Sequence, residues 1–111
     1  MSLHFEQELE ELKQKLLTMA QQAESNVTRA LKALTERNDD LARRVKEDDN
    51  ILDELEKEID ELSVHLLAKA PLASQLRLIA VAMKISHDLE RVGDEATTIS
   101  RRVIELNAEP P

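Results

Sequence analysis

The sequence predicts an all-α protein, an up-down-up antiparallel three-helix bundle that is spectrin-like in shape. Three observations carry that expectation. Leu, Glu, Ala, Lys and Arg dominate the 111 residues, the composition of long helices. One Gly and three Pro leave little punctuation for the tight turns of a β-sandwich or barrel. Apolar residues recur at steps of three and four in three runs separated by two breaks. Residues 1–111 are read as one domain. Phe5 is the only aromatic, so the core is built from Leu, Ile, Val, Met and Ala.

The first helix is expected from about Leu3 to Glu36, with Phe5, Leu9, Leu12, Leu16, Met19, Ala23, Val27, Ala30 and Leu34 in one stripe about 60–80° wide. Arg37-Asn38-Asp39-Asp40 breaks it: Asn38 can close one helix and Asp39 can cap the next. The second helix runs from about Asp40 to Ala68 on Leu41, Val45, Leu52, Leu55, Ile59, Leu62 and Leu66. Pro71 lacks an N–H and suits the first turn of a new helix. The third helix is expected from about Leu72 to Asn107, ended by Pro110-Pro111. Short connections between rods this long imply antiparallel neighbours.

Composition removes several function classes. With no Cys, disulfide frameworks, iron–sulfur clusters, zinc knuckles and thiol catalysis are excluded. A net charge of −8 argues against nucleic acid as a partner. No apolar run approaches the ~20 residues that span a bilayer, and no signal-peptide pattern is present. A cytoplasmic protein, peripheral to a membrane at most, is expected. Without a Gly-rich phosphate loop or a nucleophile in a strand-to-helix turn, it is not expected to be an enzyme.

Two acidic patterns stand apart from the apolar stripes. On the second helix Asp49, Asp53, Glu56 and Asp60 fall on one side, at about 40–100° from Leu52. Stacked carboxylates repel by a few tenths of a kcal/mol per i,i+4 pair. A bound hard cation such as Mg²⁺, Ca²⁺, Mn²⁺ or iron turns that repulsion into coordination; the plainer alternative is a solvated acidic face, with Lys46 and Lys57 at its border. On the third helix Glu90 and Asp94 are one turn apart with Gly93 between them. A lone helical Gly costs about 1 kcal/mol against Ala, so it marks close backbone approach or room for a ligand. His87, three residues before Glu90, is spaced to add a nitrogen donor or to stand as a plain surface histidine. His65 suits the C-terminal dipole of its helix, and His4 is assigned no role.

The third helix is expected to turn Leu78, Val81, Ala82, Ile85, Leu89, Val92, Ala96, Ile99 and Val103 inward. Leu76, Ile79 and Met83 then lie on the opposite side with Glu90 and Asp94, as an interface for a second bundle, a dimer mate or a client protein.

Ile85-Ser86-His87-Asp88-Leu89-Glu90-Arg91-Val92-Gly93-Asp94 resembles the signature of the PhoU family of phosphate-uptake regulators. Pro71-Leu72-Ala73-Ser74 followed by Leu76-Arg77-Leu78-Ile79 is similar to that family's entry into the same helix. Asp49-Asn50-Ile51-Leu52-Asp53-Glu54-Leu55-Glu56 is similar to its second-helix motif. The resemblance implies a three-helix repeat, usually one of two per chain, whose Glu/Asp-x-x-x-Asp motifs hold a multinuclear metal cluster or divalent cations, with iron, zinc or magnesium as the metal. The motif transfers to Asp49 with Asp53 and to Glu90 with Asp94, and Glu56 with Asp60 has the same spacing. Two positions depart from the family pattern: Glu95 stands where His is frequent, and His87 where a small residue is common. One repeat is present here, and Ala108-Glu109-Pro110-Pro111 looks like a linker into another.

The function so implied is a negative regulator of the phosphate-starvation response. It would link the ATPase of the phosphate ABC transporter to a sensor histidine kinase, and it would pair with a second PhoU repeat or with itself as a homo-oligomer. Three alternatives stand beside it: the regulatory PhoU domain of a sodium–phosphate transporter, a purely structural helical oligomerisation module, and a ferritin-type metal-oxidising bundle. The last is disfavoured, because that architecture needs inward Glu-x-x-His pairs.

Overall fold

The computed structural model describes residues 3–70 and 72–109. It is all-helical, with α1 over Leu3–Glu36, α2 over Asp39–Leu67 and α3 over Ala73–Asn107, packed as an antiparallel three-helix bundle. The bundle is slim, 63 × 17 × 17 Å between Cα extremes. The expected breaks at Pro71 and at Pro110-Pro111 lie outside the described residues. Among the described residues no helix is long and apolar enough to cross a membrane.

The first connection is closed by hydrogen bonds that the sequence only half announces. Arg37 takes a left-handed φ of 53°. The Asn38 N–H reaches Ala33 O at 2.9 Å and the Arg37 N–H reaches Leu34 O at 3.4 Å, which satisfies two of the last four carbonyls of α1. Asn38, read above as closing the first helix, instead caps α2. Its Oδ1 accepts from the Leu41 N–H at 3.1 Å, and Asp39 is already helical. Asn107 at the end of α3 braces this turn. Its amide donates to Arg37 O at 2.9 Å and to Asp39 Oδ1 at 2.6 Å, while its own oxygen accepts from Arg37 Nε at 2.9 Å.

The opposite end is tied by Glu8, a partly covered carboxylate of α1. It receives His65 Nε2 at 2.6 Å and Lys69 Nζ at 3.0 Å, with His4 Nε2 at 3.3 Å. His65, in the last turn of α2 as expected, thus also ties α2 to α1.

The stripes of α1 and α2 fall as expected, with local shifts. Phe5, Leu12, Met19, Ala23, Ala30, Val45, Leu52, Ile59 and Leu66 are buried. Leu34 is exposed, and Ala33 beside it takes the core position. The α1 core also holds Asn26, fully buried, whose Oδ1 accepts from Gln22 at 2.9 Å and from Arg29 at 2.8 Å.

The third helix is rotated from its expected setting. Ile79, Ala82, Ser86, Gly93, Ala96, Ser100 and Val103 are its buried residues. Leu78, Val81, Ile85 and Val92, expected inward, are 42, 52, 43 and 40 % exposed. Of the expected interface residues, Leu76 is 40 % exposed, but Ile79 is fully buried in the main core cluster and Met83 is half-buried. The physical reason is side-chain size. Ser86, Gly93 and Ser100 follow Ile79 at seven-residue steps and are small enough for close helix approach, whereas ranking by hydrophobicity selects the larger neighbours one residue away. The Ser86 hydroxyl is satisfied at Met19 Sδ, 3.4 Å away.

The core is uneven along the bundle. One end packs Phe5, Leu12, Met19, Leu52, Ile59, Leu66 and Ile79 together. Towards the α1–α2 turn the fully buried residues are Ala30, Val45 and Ala96, then Ala33, Ala42 and Val103.

Candidate metal centre

The rotation of α3 decides where its carboxylates go. Around the helix, His87, Glu90 and Asp94 lie within about 60° of one another. Glu90 and Asp94 do not point to the side of the bundle away from the core, as expected above, but with His87 flank the seam with α2. Glu90 feels Glu56 and Asp53 of α2, and Asp49 of α2 feels Asp94. The two acidic patterns, separate in sequence, thus form one patch across two helices.

Gly93 sets the closeness of that seam. A Cβ at this position would overlap Leu52 Cδ1 and lie 3.4 Å from Asp49 Oδ1. Leu52 is fully buried, so its side chain has little room to yield. The glycine noted in the sequence is therefore a close-approach residue, and what it brings together is α3 and the start of the α2 acidic stripe.

The electrostatics follow from crowding. Glu90 is pushed up to about 7, first by burial, then by Asp94, Glu56 and Asp53 and by a hydrogen bond with Asp94. Asp49 is also raised, by burial first and then by Asp53 and Asp94, with the Thr97 hydroxyl partly offsetting this. Among the described residues no Lys or Arg forms an ion pair with Asp49, Asp53, Glu56, Asp60, Glu90 or Asp94; Lys57, read as a neighbour able to neutralise the stripe, pairs with Glu54 at 3.6 Å. The nitrogen donor that does arrive is His87. Its Nδ1 lies 3.1 Å from Glu56 Oε2 and its Nε2 3.9 Å from Asp60 Oδ1.

These donors suit a metal. Glu56, Asp60 and His87 each offer one ligand atom, and those atoms lie within 4.8 Å of one another. Asp49 Oδ1 and Asp60 Oδ1 are buried without a close hydrogen bond; Thr97 lies beside Asp49, and His87 Nε2 is 3.9 Å from Asp60 Oδ1. Orphaned carboxylate oxygens in a patch without lysine or arginine are what a hard or borderline cation satisfies. Asp53 and Asp94 are exposed on the rim of the same patch. Thr97, half-buried, is the member that sequence reasoning missed; its position three residues after Asp94 on the same helix face was the available signal.

Comparison with known proteins bears on this patch. The family profile described as PhoU domain matches residues 16–103, which include all six carboxylates and His87. A phosphate-specific transport system accessory protein PhoU homolog of Pseudomonas putida is 46 % identical over 106 residues, covering 95 % of this chain and 41 % of the relative. The accessory protein PhoU of Escherichia coli is 39 % identical over 102 residues, 91 % of this chain and 42 % of its own length. A PhoU homolog 1 of Thermotoga maritima is 37 % identical over 108 residues, 96 % and 47 %. The chain thus spans less than half the length of these relatives. No solved structure matches it. On the family match and these identities, the chain belongs to the PhoU family.

Proposed function

We propose that this chain is a metal-binding regulatory adaptor of phosphate uptake that acts in the cytoplasm as a negative regulator of the phosphate-starvation response. Support comes from the names of its relatives, which are accessory proteins of a phosphate-specific transport system. The observation that carries the metal reading is the convergence of Asp49 and Asp53 from α2 with Glu90 and Asp94 from α3, in a patch that lysine and arginine leave unneutralised.

Asp49, Asp53, Glu90 and Asp94 would hold the metal, with Glu56, Asp60 and His87 at one end of the patch. Oxygen donors admit iron, zinc or magnesium, and the single imidazole favours iron or zinc over magnesium there. A bound cation reverses the sign of the local field and makes an acidic face attractive to phosphate or to a partner's carboxylates. The partners fitting this role are the transporter's ATPase and a sensor histidine kinase. In this role the side chains position charge, as an adaptor requires.

The test is elemental analysis of protein purified without chelator, joined to pull-down of the ATPase and the kinase before and after metal removal. Stoichiometric metal, lost in the Glu90→Gln/Asp94→Asn variant together with partner binding, is the expected result. Unchanged partner binding after complete metal removal overturns metal-dependent docking and leaves a helical oligomerisation module.

A further inference from the structure

We propose that Lys46 of α2 and Arg101 of α3, with the Thr97 hydroxyl, form a subsite for hydrogen phosphate at the end of the acidic seam nearest the α1–α2 turn. The register of the two helices places them together. Asp60 faces His87, Glu56 faces Glu90 and Asp49 faces Thr97 across the seam. These rungs step by three or four residues on both helices, in opposite directions, so that each lies about one helical turn from the next. The rung beyond Asp49 and Thr97 is Lys46, three residues earlier, and Arg101, four residues later. The same register holds past that level, where Asn107 donates to Asp39 Oδ1 at 2.6 Å.

Two like charges on one rung repel, and the chain supplies them with no counter-ion. Lys46 and Arg101 are exposed, and among the described residues neither forms an ion pair. Arg29, Arg43 and Arg102, by contrast, each reach a carboxylate, those of Asp48, Asp39 and Glu105. An oxyanion between the two heads accepts charge-assisted hydrogen bonds from both helices at once. The rung behind it chooses which oxyanion. Thr97 Oγ1 and Asp49 Oδ1 are buried without a close hydrogen bond. The hydroxyl can donate to the anion, whereas the carboxylate oxygen only accepts. Hydrogen phosphate carries an O–H to give to that carboxylate. Sulfate carries none, and its oxygens would stand against the carboxylate's lone pairs, so phosphate is preferred. This names a ligand for the site proposed above and rests on that reading, but the cation rung is made of the chain's own side chains. The neighbouring carboxylates repel the anion when no metal is bound, so binding tightens on metal loading.

The experiment is titration of the 111-residue chain with inorganic phosphate, followed by amide chemical shifts, once loaded with zinc and desalted and once in chelator. The expected result is a dissociation constant below about 1 mM for the loaded chain and at least about tenfold weaker binding in chelator. In both arms the shifts centre on Lys46, Thr97 and Arg101, and sulfate at equal ionic strength binds more weakly. Lys46→Ala/Arg101→Ala weakens phosphate binding at least about tenfold, with metal content and helical circular dichroism unchanged. Lys84→Ala/Arg91→Ala removes the same charge from the outer face of α3 and leaves binding within about twofold of the parent. Elemental analysis of the loaded chain reads the metal reading separately; if no zinc is retained, that reading fails and the chelator arm alone decides this one. Shifts that centre elsewhere, sulfate bound as tightly as phosphate, or a Lys46→Ala/Arg101→Ala chain that titrates like the parent each overturns the proposal.

Discussion

The two long faces of α3 are built on opposite terms. Towards α2 it presents small and acidic residues, with Gly93 against Leu52 and Glu90 and Asp94 beside Asp49. Outward it presents Leu78, Val81, Ile85 and Val92, half in solvent. The packed face carries the polar chemistry beside Ile79 and Val103, while the exposed face keeps four large apolar groups that hydrophobicity alone would bury. Close approach rewards absent side chains over greasy ones, so glycine and serine outcompete leucine where two helix backbones must meet.

The rotation of α3 is tested by two adjacent residues. Ile79→Ala, in the core, is expected to cost about 2–5 kcal/mol, while Leu78→Ala on the outer face costs below about 1 kcal/mol. Urea denaturation of both variants measures the difference, and a larger cost at Leu78 than at Ile79 would return α3 to the orientation read from sequence. Next in size is Gly93→Val, expected to cost about 1–3 kcal/mol by overpacking Leu52. Combining it with Leu52→Ala should cost less than the two changes summed, since the smaller side chain makes room.

Neutralising the acidic face gives an effect whose sign depends on metal. Glu90→Gln/Asp94→Asn removes like-charge repulsion and is expected to stabilise the chelator-treated protein by about 0.5–1 kcal/mol at pH 8, while it abolishes any rise in melting temperature on adding ferrous or zinc ions. The smallest effect is in pH. Glu90 is raised from 4.5 to about 7 on folding, so the folded chain keeps a proton that the unfolded chain releases. That contribution is fully present below pH 4.5 and is lost as pH rises through 7, and Asp49 acts in the same direction from 3.8. Glu8 works oppositely: its lowered value contributes stability above 4.5 that disappears in stronger acid. In chelator the melting temperature should therefore fall between pH 5 and pH 8, and Glu90→Gln should flatten that slope.

Much of the architecture was legible in the sequence. Asn38-Asp39-Asp40 divided the chain where α1 gives way to α2, and the apolar stripes of α1 and α2 identified their buried faces. The acidic motifs were legible from i,i+4 spacing alone. Their convergence was not, because it depends on how α3 is turned, and the residues that fix the turn are Ser86, Gly93 and Ser100, which hydrophobic periodicity passes over. Glu56 and His87, from different helices, meet at 3.1 Å for the same reason. The clasp of Asn107 on the α1–α2 turn joins residues about seventy positions apart and has no local sequence signal.

The alanine-rich packing near that turn has a consequence for how the molecule breathes. Side chains as short as Ala30, Ala33, Ala42 and Ala96 remove little apolar area from water, at roughly 25 cal/mol per Å². Amide hydrogens from Ala33 to Val45 should accordingly exchange with deuterium before those around Leu12, Ile59 and Ile79. The acidic patch sits at the border of the two regimes, so a ligand that clamps α2 to α3 there would slow exchange chiefly on the weaker side.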